Sequence, residues 1–316
     1  MHDVSAKLVS GCLFLFIAAS QAAATEGPVG CGTVIDAGET VVLTNNVGPC
    51  DDPVSNAITL EEGATLDMNG FTVTCANNNA NMIIADGIFL AGSGATLSNG
   101  KVVGCDAGVW MSGTGRHRVS DVEADGNNIG FLVQGGSDKN RLDGNRALNS
   151  TFSGFHVDGD KNKMTLNSSE ANGQAGFRMT GDKNKLLENE ASGNEWGFQP
   201  FGARNKLIEN DALENDFGID LAGDRNKAVR NESANNTGRG INVTESGAKV
   251  IKNEVTNNGG DGIRVAATTT KVKVVGNIAT GNGTGDGLDL RDMDPACAGH
   301  IWKKNVFTTA DPDCVQ

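Results

Sequence analysis

The sequence predicts an all-β solenoid in which one short motif repeats along a single elongated domain. The motif is Gly, apolar, any residue x, apolar, and it recurs at intervals of 21 to 25 residues. Its glycines are Gly87, Gly108, Gly130, Gly154, Gly176, Gly197, Gly218, Gly240, Gly262 and Gly287. A fixed period of this length is typical of repeats that bury their apolar faces only against neighbouring repeats. The composition agrees, since 43 glycines and only 5% aromatic residues predict many tight turns and a thin core.

Each repeat divides into short apolar segments that are separated by Asn, Gly and Asp. In residues 176–194, Gly-Phe-Arg-Met is followed by a Gly-Asp-Lys-Asn turn, a second apolar segment and an Asn-rich turn. No segment has a helical period of sufficient length, so we expect strands joined by tight turns. Strands this short bury their apolar side chains only by stacking in parallel on equivalent strands, about 4.8 Å apart, which places equivalent residues in columns.

Two of these columns consist of asparagine. One contains Asn145, Asn167, Asn189, Asn210, Asn231, Asn253 and Asn277, and the other contains Asn140, Asn162, Asn184, Asn205 and Asn226. Asparagine tolerates left-handed turn geometry, and its amide group bonds to equivalent amides above and below. We therefore interpret both columns as structural turn ladders and not as ligand sites.

The N-terminal residues resemble a secretory signal. Lys7 precedes an apolar run at 13–19, and Ala22 to Ala24 offer small residues for cleavage. The apolar run is too short to span a membrane. We predict a signal peptide at 1–24, an N-terminal cap at 25–56, the solenoid at 57–295, a C-terminal cap at 296–316, and a secreted or periplasmic location.

Six cysteines remain after the signal, in three pairs that are close in sequence: Cys31 with Cys50, Cys75 with Cys105, and Cys297 with Cys314. An even number in an exported chain predicts disulfides. The middle pair is the best supported, because the residues before Cys75 and Cys105 match position for position, so the two sulfurs would stack about 5 Å apart. A metal site is the rival interpretation, but no CxxC or Cys/His cluster supports it.

The net charge of −13 argues against nucleic acid or an anionic membrane as the main partner. We expect a monomer that does not insert into membranes. No metal site is predicted from the sequence. Calcium is the one cofactor whose binding the sequence leaves undecided.

The chain resembles the right-handed parallel β-helix proteins over about residues 57–290. The resemblance is carried by repeats of the form Gly-Phe-x-Met, Gly-Asp-Lys-Asn-Lys-Leu and Asn-x-Ala. Within that group it looks most like the secreted NosD-like and pectate-lyase-like proteins. Residues 65–73 resemble their first coil, and 302–314 resemble their end cap. The resemblance implies the fold, but the fold hosts lyases, hydrolases, epimerases, adhesins and copper-site accessory proteins alike.

The residue x is predicted to face solvent, because the apolar residues that flank it point inward. Down the stack, x is Phe89, Trp110, Leu132, His156, Arg178, Gln199, Asp220, Asn242, Arg264 and Asp289. The outward position two residues later contributes Ser112, Gln134, Asp158, Thr180, Thr244 and Arg291. Aromatic rings stack on sugars, and charged groups bind carboxylates. We therefore assign substrate binding to Trp110, Gln199, Asp220, Asn242, Arg264, Asp289 and Arg291. The alternative is an ordinary solvated face.

Three residues of this face suit chemistry at a uronic acid. Elimination or epimerisation needs a cation that neutralises the carboxylate and a base that removes the neighbouring proton. His156 and Arg178 are predicted to lie in adjacent coils about 5 Å apart, with Asp158 beside His156. We predict His156 as the base, Arg178 as the carboxylate clamp and Asp158 as the residue that orients His156. The alternative is a solvated surface histidine.

Hydrolysis of a glycosidic bond is disfavoured, because it generally needs two carboxylates about 5 to 10 Å apart. Strand spacing predicts about 14 Å between Asp220 and Asp289. The sequence also departs from known β-helix enzymes. It lacks the aspartate cluster of the pectate lyase calcium site, the Asp-Pro-His signature of alginate epimerases and the Gly-His-Gly pattern of polygalacturonases.

A second recurring turn is basic. Asp160-Lys161-Asn162-Lys163 returns in the next three coils, so that eight cations are predicted along one edge. Neighbouring acids include Asp160, Asp182 and Asp224 and a column of Glu190, Asp211, Glu232 and Glu254. We favour a solvated turn whose cations are balanced by these acids. The alternative is a strip for a polyanionic polysaccharide.

The sequence favours an exported β-helix that binds or modifies an acidic, uronate-containing polysaccharide, by β-elimination or epimerisation if it is an enzyme. A non-catalytic adhesin-type carbohydrate-binding protein is the second hypothesis. A NosD-like periplasmic accessory protein for a metal site is the third, and the scarcity of His, Met and free Cys counts against it.

Overall fold

The computed structural model describes residues 25–51, 56–76, 85–297 and 299–315. These residues form a right-handed parallel β-helix of about 12 turns, which confirms the predicted fold class. Every strand pairing in the described ranges is parallel. The predicted signal peptide lies outside the described residues. Within them, no helix is long and apolar enough to cross a membrane.

Each coil passes through three faces. Face 1 is a 13-stranded sheet of Thr33–Ile35, Ile58–Leu60, Ile88–Leu90, Ala107–Met111, Ile129–Val133, Phe155–Val157, Ala175–Met179, Trp196–Pro200, Phe217–Leu221, Ile241–Val243, Ile263–Val265, Leu290–Asp292 and Ala310–Asp311. Face 2 contains Thr25–Gly27, Thr40–Leu43, Thr65–Asp67, Arg141–Asp143, Lys163–Thr165, Lys185–Leu187, Lys206–Ile208, Lys227–Val229, Lys249–Ile251, Lys273–Val275 and Ile301–Lys303. Face 3 contains Val47–Cys50, Thr72–Cys75, Arg146–Leu148, Ser168–Glu170, Glu190–Ser192, Asp211–Leu213, Glu232–Ala234, Glu254–Thr256 and Ile278–Thr280.

Faces 2 and 3 belong to one 22-stranded sheet. Thr96–Val103 and Arg118–Asp125 run through both faces and join them. The stacking already includes Thr25–Gly27, which pairs with Thr40–Leu43, and it still includes Ala310–Asp311. It therefore extends into both segments that the sequence assigned to caps.

The core is a narrow column of inward side chains. Phe131, Phe155, Phe177 and Phe198 are fully buried. Their rings stack at centroid distances of 4.6 to 4.9 Å and are almost parallel. Because each coil repeats the same position, each aromatic ring meets an identical ring, and the apolar residue before x fills the same place in every coil.

All three corners carry a buried asparagine ladder, one more than the sequence analysis identified. Corner 1 lies between faces 1 and 2, corner 2 between faces 2 and 3, and corner 3 between faces 3 and 1. The two predicted columns occupy corners 1 and 2. The ladder at corner 3 contains Asn127, Asn172, Asn194, Asn215, Asn236, Asn258 and Asn282.

Hydrogen bonds connect the ladder amides from coil to coil, and Asn162 Nδ2 is the one ladder amine among the described residues that is buried without a partner. The backbone N–H and the Nδ2 group of Asn189 both donate to Asn210 Oδ1, at 3.0 and 2.9 Å. Asn189 Nδ2 also donates to Met164 O at 3.1 Å. The ladder asparagines themselves are not left-handed. The preceding residue takes that conformation, for example Glu188 with φ 56° and Glu209 with φ 55°, and this turns the asparagine side chain into the corner.

Three disulfides join the predicted cysteine pairs. Their Cα–Cα distances are 5.5 Å for Cys31–Cys50, 5.0 Å for Cys75–Cys105 and 6.2 Å for Cys297–Cys314. The middle bond links adjacent coils, and the other two lie near the ends of the stack. Proline lacks the backbone N–H of a strand residue, yet Pro200 stays in register with the preceding coil and pairs with Met179.

Removing one ladder amide should destabilise the whole stack. Asn210→Ala deprives Asn189 of its acceptor and Leu186 O of a donor at 3.2 Å. Buried polar groups without partners are costly, so we expect a loss of about 1–3 kcal/mol in the free energy of unfolding, measured by denaturant titration. Asn56→Ala is the control, because that half-buried side chain donates to Thr59 Oγ1 at 3.2 Å and belongs to no ladder. Equal losses in the two variants would contradict the role of the ladder.

Candidate functional site

The x residues form a continuous column on face 1. Trp110 pairs with Phe89 and Leu132, and Leu132 pairs with His156. The next pairs are His156 with Arg178 and Arg178 with Gln199. The column continues through Asp220, Asn242, Arg264 and Arg291. The structure thus brings together on one face nearly all the residues that the sequence assigned to the site.

His156 is held by two neighbouring side chains. Its Nε2 lies 3.1 Å from Asp158 Oδ1, and the hydroxyl of Thr180 in the next coil donates to the same carboxylate oxygen. The His156 side chain is 25% exposed. When Nε2 carries the proton and donates to Asp158, the lone pair of Nδ1 is available, and Nδ1 bonds to no described residue. This is the arrangement of a general base with an orienting carboxylate.

Arg178 lies directly beside His156 in the next coil. Its guanidinium carbon lies 4.8 Å from the centre of the Phe201 ring. Its Nε is buried without a hydrogen-bond partner among the described residues, and no described carboxylate pairs with the guanidinium. An Arg that stacks on an aromatic ring and lacks a protein carboxylate is suited to bind the carboxylate of a ligand.

The middle of the column is polar and almost buried. Gln199, Asp220 and Asn242 are each 8% exposed. Asn242 Nδ2 donates to Asp220 Oδ1 at 2.9 Å, and Arg264 Nη1 donates to Asn242 Oδ1 at 3.1 Å. Burial raises the pKa of Asp220, and this effect outweighs the Asn242 hydrogen bond and the charges of Arg239 and Arg264.

The far end of the face is cationic. Asp261 holds Arg291 through an ion pair of 3.2 Å between Oδ1 and Nη1, and its Oδ2 lies 4.0 Å from Arg264 Nε. Burial lowers the pKa of Arg264, and the charge of Arg239 lowers it further. Arg239, Asp261 and Arg291, together with Phe217, line a cavity of 260 Å³. The sequence analysis missed Arg239 and Asp261, because both lie immediately before the repeat glycine and not at x.

The assignment of Asp289 to this face is wrong. The coil that contains Gly281 to Gly287 is longer than the others, so Leu290 and not Leu288 pairs with Ile263. Asp289 is therefore 1% exposed at corner 3, where its Oδ1 accepts hydrogen bonds from Asn282 and ends the ladder. The same shift moves Arg291 to the x position, where it pairs with Arg264.

The aromatic side chains that stay partly exposed collect around face 1. Phe89 and Trp110 pack with ring centroids 4.8 Å apart, and Trp196 and Phe217 stack at 4.3 Å. Phe201 covers Arg178, and Phe152 is 45% exposed. The exceptions among the described residues are Phe71 and Phe307, which pack against the core. Phe152 and Phe217 were not predicted, because they precede the repeat glycine.

Two further carboxyl groups lie beside Trp110. Asp86 and Asp106 line a cavity of 130 Å³ together with Trp110 and Leu132. Burial raises the pKa of Asp86, the hydrogen bond from Ala107 N–H opposes this, and the charge of Asp106 adds to it. An acid directly before the repeat glycine is the sequence signal that would have found Asp86.

Two family patterns match the sequence. The one described as "Right handed beta helix region" matches residues 171–279, and the one described as "Periplasmic copper-binding protein (NosD)" matches residues 38–217. No curated protein has a sequence that matches this chain.

Solved structures with similar folds include several proteins that act on polysaccharides. The A-module of the Azotobacter vinelandii mannuronan C-5 epimerase AlgE6 is 13% identical with a TM-score of 0.61, covering 86% of this chain and 90% of that one. The periplasmic alginate epimerase AlgG is 14% identical with a TM-score of 0.59, covering 88% and 77%. The catalytic unit of a GH87 α-1,3-glucanase from Streptomyces thermodiastaticus is 13% identical with a TM-score of 0.61, covering 88% and 65%. Identities this low establish the shared fold alone.

Asp220 and Asp289 should give opposite pH dependences of stability. The pKa of Asp220 is raised on folding, so its carboxyl group opposes folding as pH rises above the unfolded pKa. Burial alone would raise the pKa of Asp289, but hydrogen bonds from Asn282, Thr308 and Thr309 lower it overall. Asp289 therefore stabilises the fold above its unfolded pKa, and this stabilisation is lost as pH falls through the folded value.

Asp220→Asn should raise the free energy of unfolding at about pH 7, and the gain should shrink towards about pH 3, where both states are protonated. Asp289→Asn should lower the free energy of unfolding at neutral pH, and this loss should become smaller in acid. Urea unfolding across this range measures both differences. Variants whose difference from wild type does not change with pH would contradict the assigned pKa directions.

Proposed function

This chain belongs to the NosD family, and we propose that it is an exported, monomeric protein that binds an acidic polysaccharide along face 1. The observation that carries the proposal is the concentration of partly exposed aromatic rings and unpaired or clustered arginines on this one face. Aromatic rings stack on the apolar faces of sugars, while arginine binds carboxylates. The three disulfides and the predicted signal peptide support export.

The dimensions of the face suit a polymer and not a small sugar. From His156 to Arg291 the column takes six steps, which span roughly 29 Å at strand spacing. The stacked rings of Trp196 and Phe217 stand beside the polar middle, and the arginine group lies at the far end. A sugar chain that runs parallel to the helix axis would meet one residue of the column in each coil.

Arg178 is the residue expected to select an acidic sugar. It has no protein carboxylate as a partner, and Phe201 covers one side of it. A uronate carboxylate would supply the missing acceptor, while a neutral sugar would not. The likeness in fold to two alginate epimerases supports the choice of a uronate polymer.

Proton abstraction from a uronate is the second candidate function, favoured by the contact between His156 and Asp158. His156 Nδ1 would take the proton at C5 of a uronate whose carboxylate Arg178 binds, and Asp158 would stabilise the imidazolium. Expulsion of the 4-linked sugar then gives elimination, whereas reprotonation on the opposite ring face gives epimerisation. Thr180 fixes Asp158 from the neighbouring coil.

The described residues do not fit the copper that the family description names. Copper favours imidazole, thiolate and thioether ligands. His117 Nδ1 accepts from Ala95 N at 3.2 Å, and its Nε2 lies 2.8 Å from Ser112 O. His300 bonds to Asp292, and the described cysteines form disulfides. The described ranges contain no group of three or more His, Cys, Asp or Glu residues able to hold a metal ion, so we derive no step through copper.

Arg178→Gln tests binding. Charge-assisted hydrogen bonds contribute about 1.5–3 kcal/mol, so the variant should bind an oligouronate about 10-fold to 100-fold more weakly in calorimetry. Arg146→Gln is the control, because Arg146 lies on face 3 in ion pairs with Glu123 and Glu170. A neutral glucan of the same length should bind weakly to wild type and to both variants. Unchanged oligouronate affinity in Arg178→Gln would contradict the proposed site.

His156→Ala separates catalysis from binding. If wild type catalyses elimination, it should release from a polyuronate an unsaturated uronide that absorbs in the ultraviolet. If it catalyses epimerisation, it should incorporate solvent deuterium at C5 without chain cleavage. His156→Ala should lose about 10²–10⁴-fold of this rate and keep its affinity. Absence of both products for pectate, alginate and glycosaminoglycans, with binding retained, would overturn the catalytic function and leave an adhesin-type binder.

A further inference from the structure

Face 2 carries a column of cations that the face 1 site does not use. The first residue of successive face 2 strands is basic in every coil through the middle of the helix: Arg118, Arg141, Lys163, Lys185, Lys206, Lys227, Lys249 and Lys273. We call this set the basic ladder. Its members follow one another at strand spacing, so the ladder extends over roughly 34 Å parallel to the helix axis.

A second basic column runs beside the ladder at corner 1. It contains Arg116, Lys139, Lys161, Lys183, Arg204, Arg225 and Lys271, all with φ between 57° and 62°. Left-handed residues also occur at the other two corners, where they include Leu166, Ala171, Glu188, Glu214 and Asn235. The backbone therefore requires the conformation at every corner but does not require a cation. The cations at corner 1 need a different explanation.

Aspartates beside the ladder bond to the backbone and form no ion pairs with the ladder lysines, whereas the sequence led us to expect that these acids balance the cations. The carboxylates of Asp138, Asp160 and Asp182 accept hydrogen bonds from the backbone N–H one coil further on, at 2.7 to 2.8 Å. The lysines of the ladder make no ion pair with a described carboxylate, and Arg225 of the second column pairs with Asp224 at 3.5 Å. Like charges stacked in adjacent strands are destabilising, so the fold retains this column at a cost.

The two columns line a groove of 530 Å³. Its charged lining is basic: Lys183, Arg204, Lys206, Arg225, Lys227 and Lys249. We propose that this groove is a second binding site, for a single extended chain of acidic polysaccharide. The identity of the polymer rests on the proposed function, while the location and the charge of the site do not.

The geometry favours a linear polymer over other polyanions. The ladder offers one cation per coil in a straight line, at a spacing close to the length of one sugar unit in an extended chain. The phosphates of a duplex follow a helical path and would meet such a line at few points. The groove lining has no apolar side chain that could insert into an anionic bilayer, so binding to a membrane would rest on charge alone. The net charge of −13 repels polyanions elsewhere and confines them to the basic strip.

The test neutralises the middle of the ladder in the intact mature protein. Lys206→Gln, Lys227→Gln and Lys249→Gln are combined in one variant. The matched control combines Lys252→Gln, Lys303→Gln and Lys304→Gln, which are exposed, change the net charge equally and lie outside the groove. An oligouronate of about eight sugars is titrated by calorimetry at several salt concentrations, with a DNA duplex and anionic phosphatidylglycerol vesicles as further probes.

The ladder variant should bind the oligouronate at least about 10-fold more weakly at low salt. Its slope of log affinity against log salt should fall by about 2, as expected for the loss of three contacts to a single-stranded polyanion. The control should match wild type. The thermal midpoint of the ladder variant should be equal or higher, since like charges are removed. Wild-type affinity in the ladder variant, a lower thermal midpoint, or tighter binding of the duplex or the vesicles would overturn the proposal.

The same titrations with Arg178→Gln keep the two proposals distinct. If face 1 is not a binding site, Arg178→Gln binds like wild type while the ladder variant loses affinity. If the basic groove is not a site, the ladder variant binds like wild type while Arg178→Gln loses affinity. If both sites exist and are independent, wild type shows two binding events. Arg178→Gln then loses the event at face 1, and the ladder variant loses the event at the basic groove.

Discussion

Amide groups buried at the three corners hold successive coils in register, and this constraint determines the rest of the molecule. Asn210 accepts from Asn189 in the coil before and donates to Asn231 in the coil after. Because every rung repeats the same hydrogen bonds, equivalent residues are kept in straight columns over many coils. The Phe column in the core, the x column on face 1 and the basic ladder on face 2 all follow from this register.

A column geometry converts a single residue per repeat into an extended surface. His156 and Arg178 are 22 residues apart in sequence but are direct neighbours on face 1. Thr180 reaches Asp158 in the same way. The same rule places lysines beside lysines on face 2, so that like charges repel one another along the whole basic ladder. Face 1 mixes aromatic, polar and charged groups, whereas the groove on face 2 is lined with cations, so the two faces suit different contacts with an acidic chain.

Much of this could be predicted from the sequence, because the repeat glycine marks the same backbone position in each coil. Spacing alone set His156 beside Arg178 and Cys75 beside Cys105. It failed at Asp289, because the longer coil at 281–287 shifts the pairing by two residues, which a motif match cannot detect. The sequence also could not predict which hydrogen-bond donor each acidic side chain contacts. Asp160 was expected to balance the charge of the lysines, and the structure shows that its carboxylate accepts a hydrogen bond from the backbone N–H of Asp182. Arg239 and Phe217 were missed because only the residues after the glycine were read as outward-facing.

A crystal structure with a bound oligouronate is the most direct test of the central claim, that register along the helix axis builds a linear site for an acidic sugar chain. The account predicts a sugar chain parallel to the axis on face 1, with a uronate carboxylate within hydrogen-bond distance of the Arg178 guanidinium and its ring beside His156. A chain bound across the coils, or coordinates in which His156 and Arg178 do not occupy adjacent rungs, would contradict it.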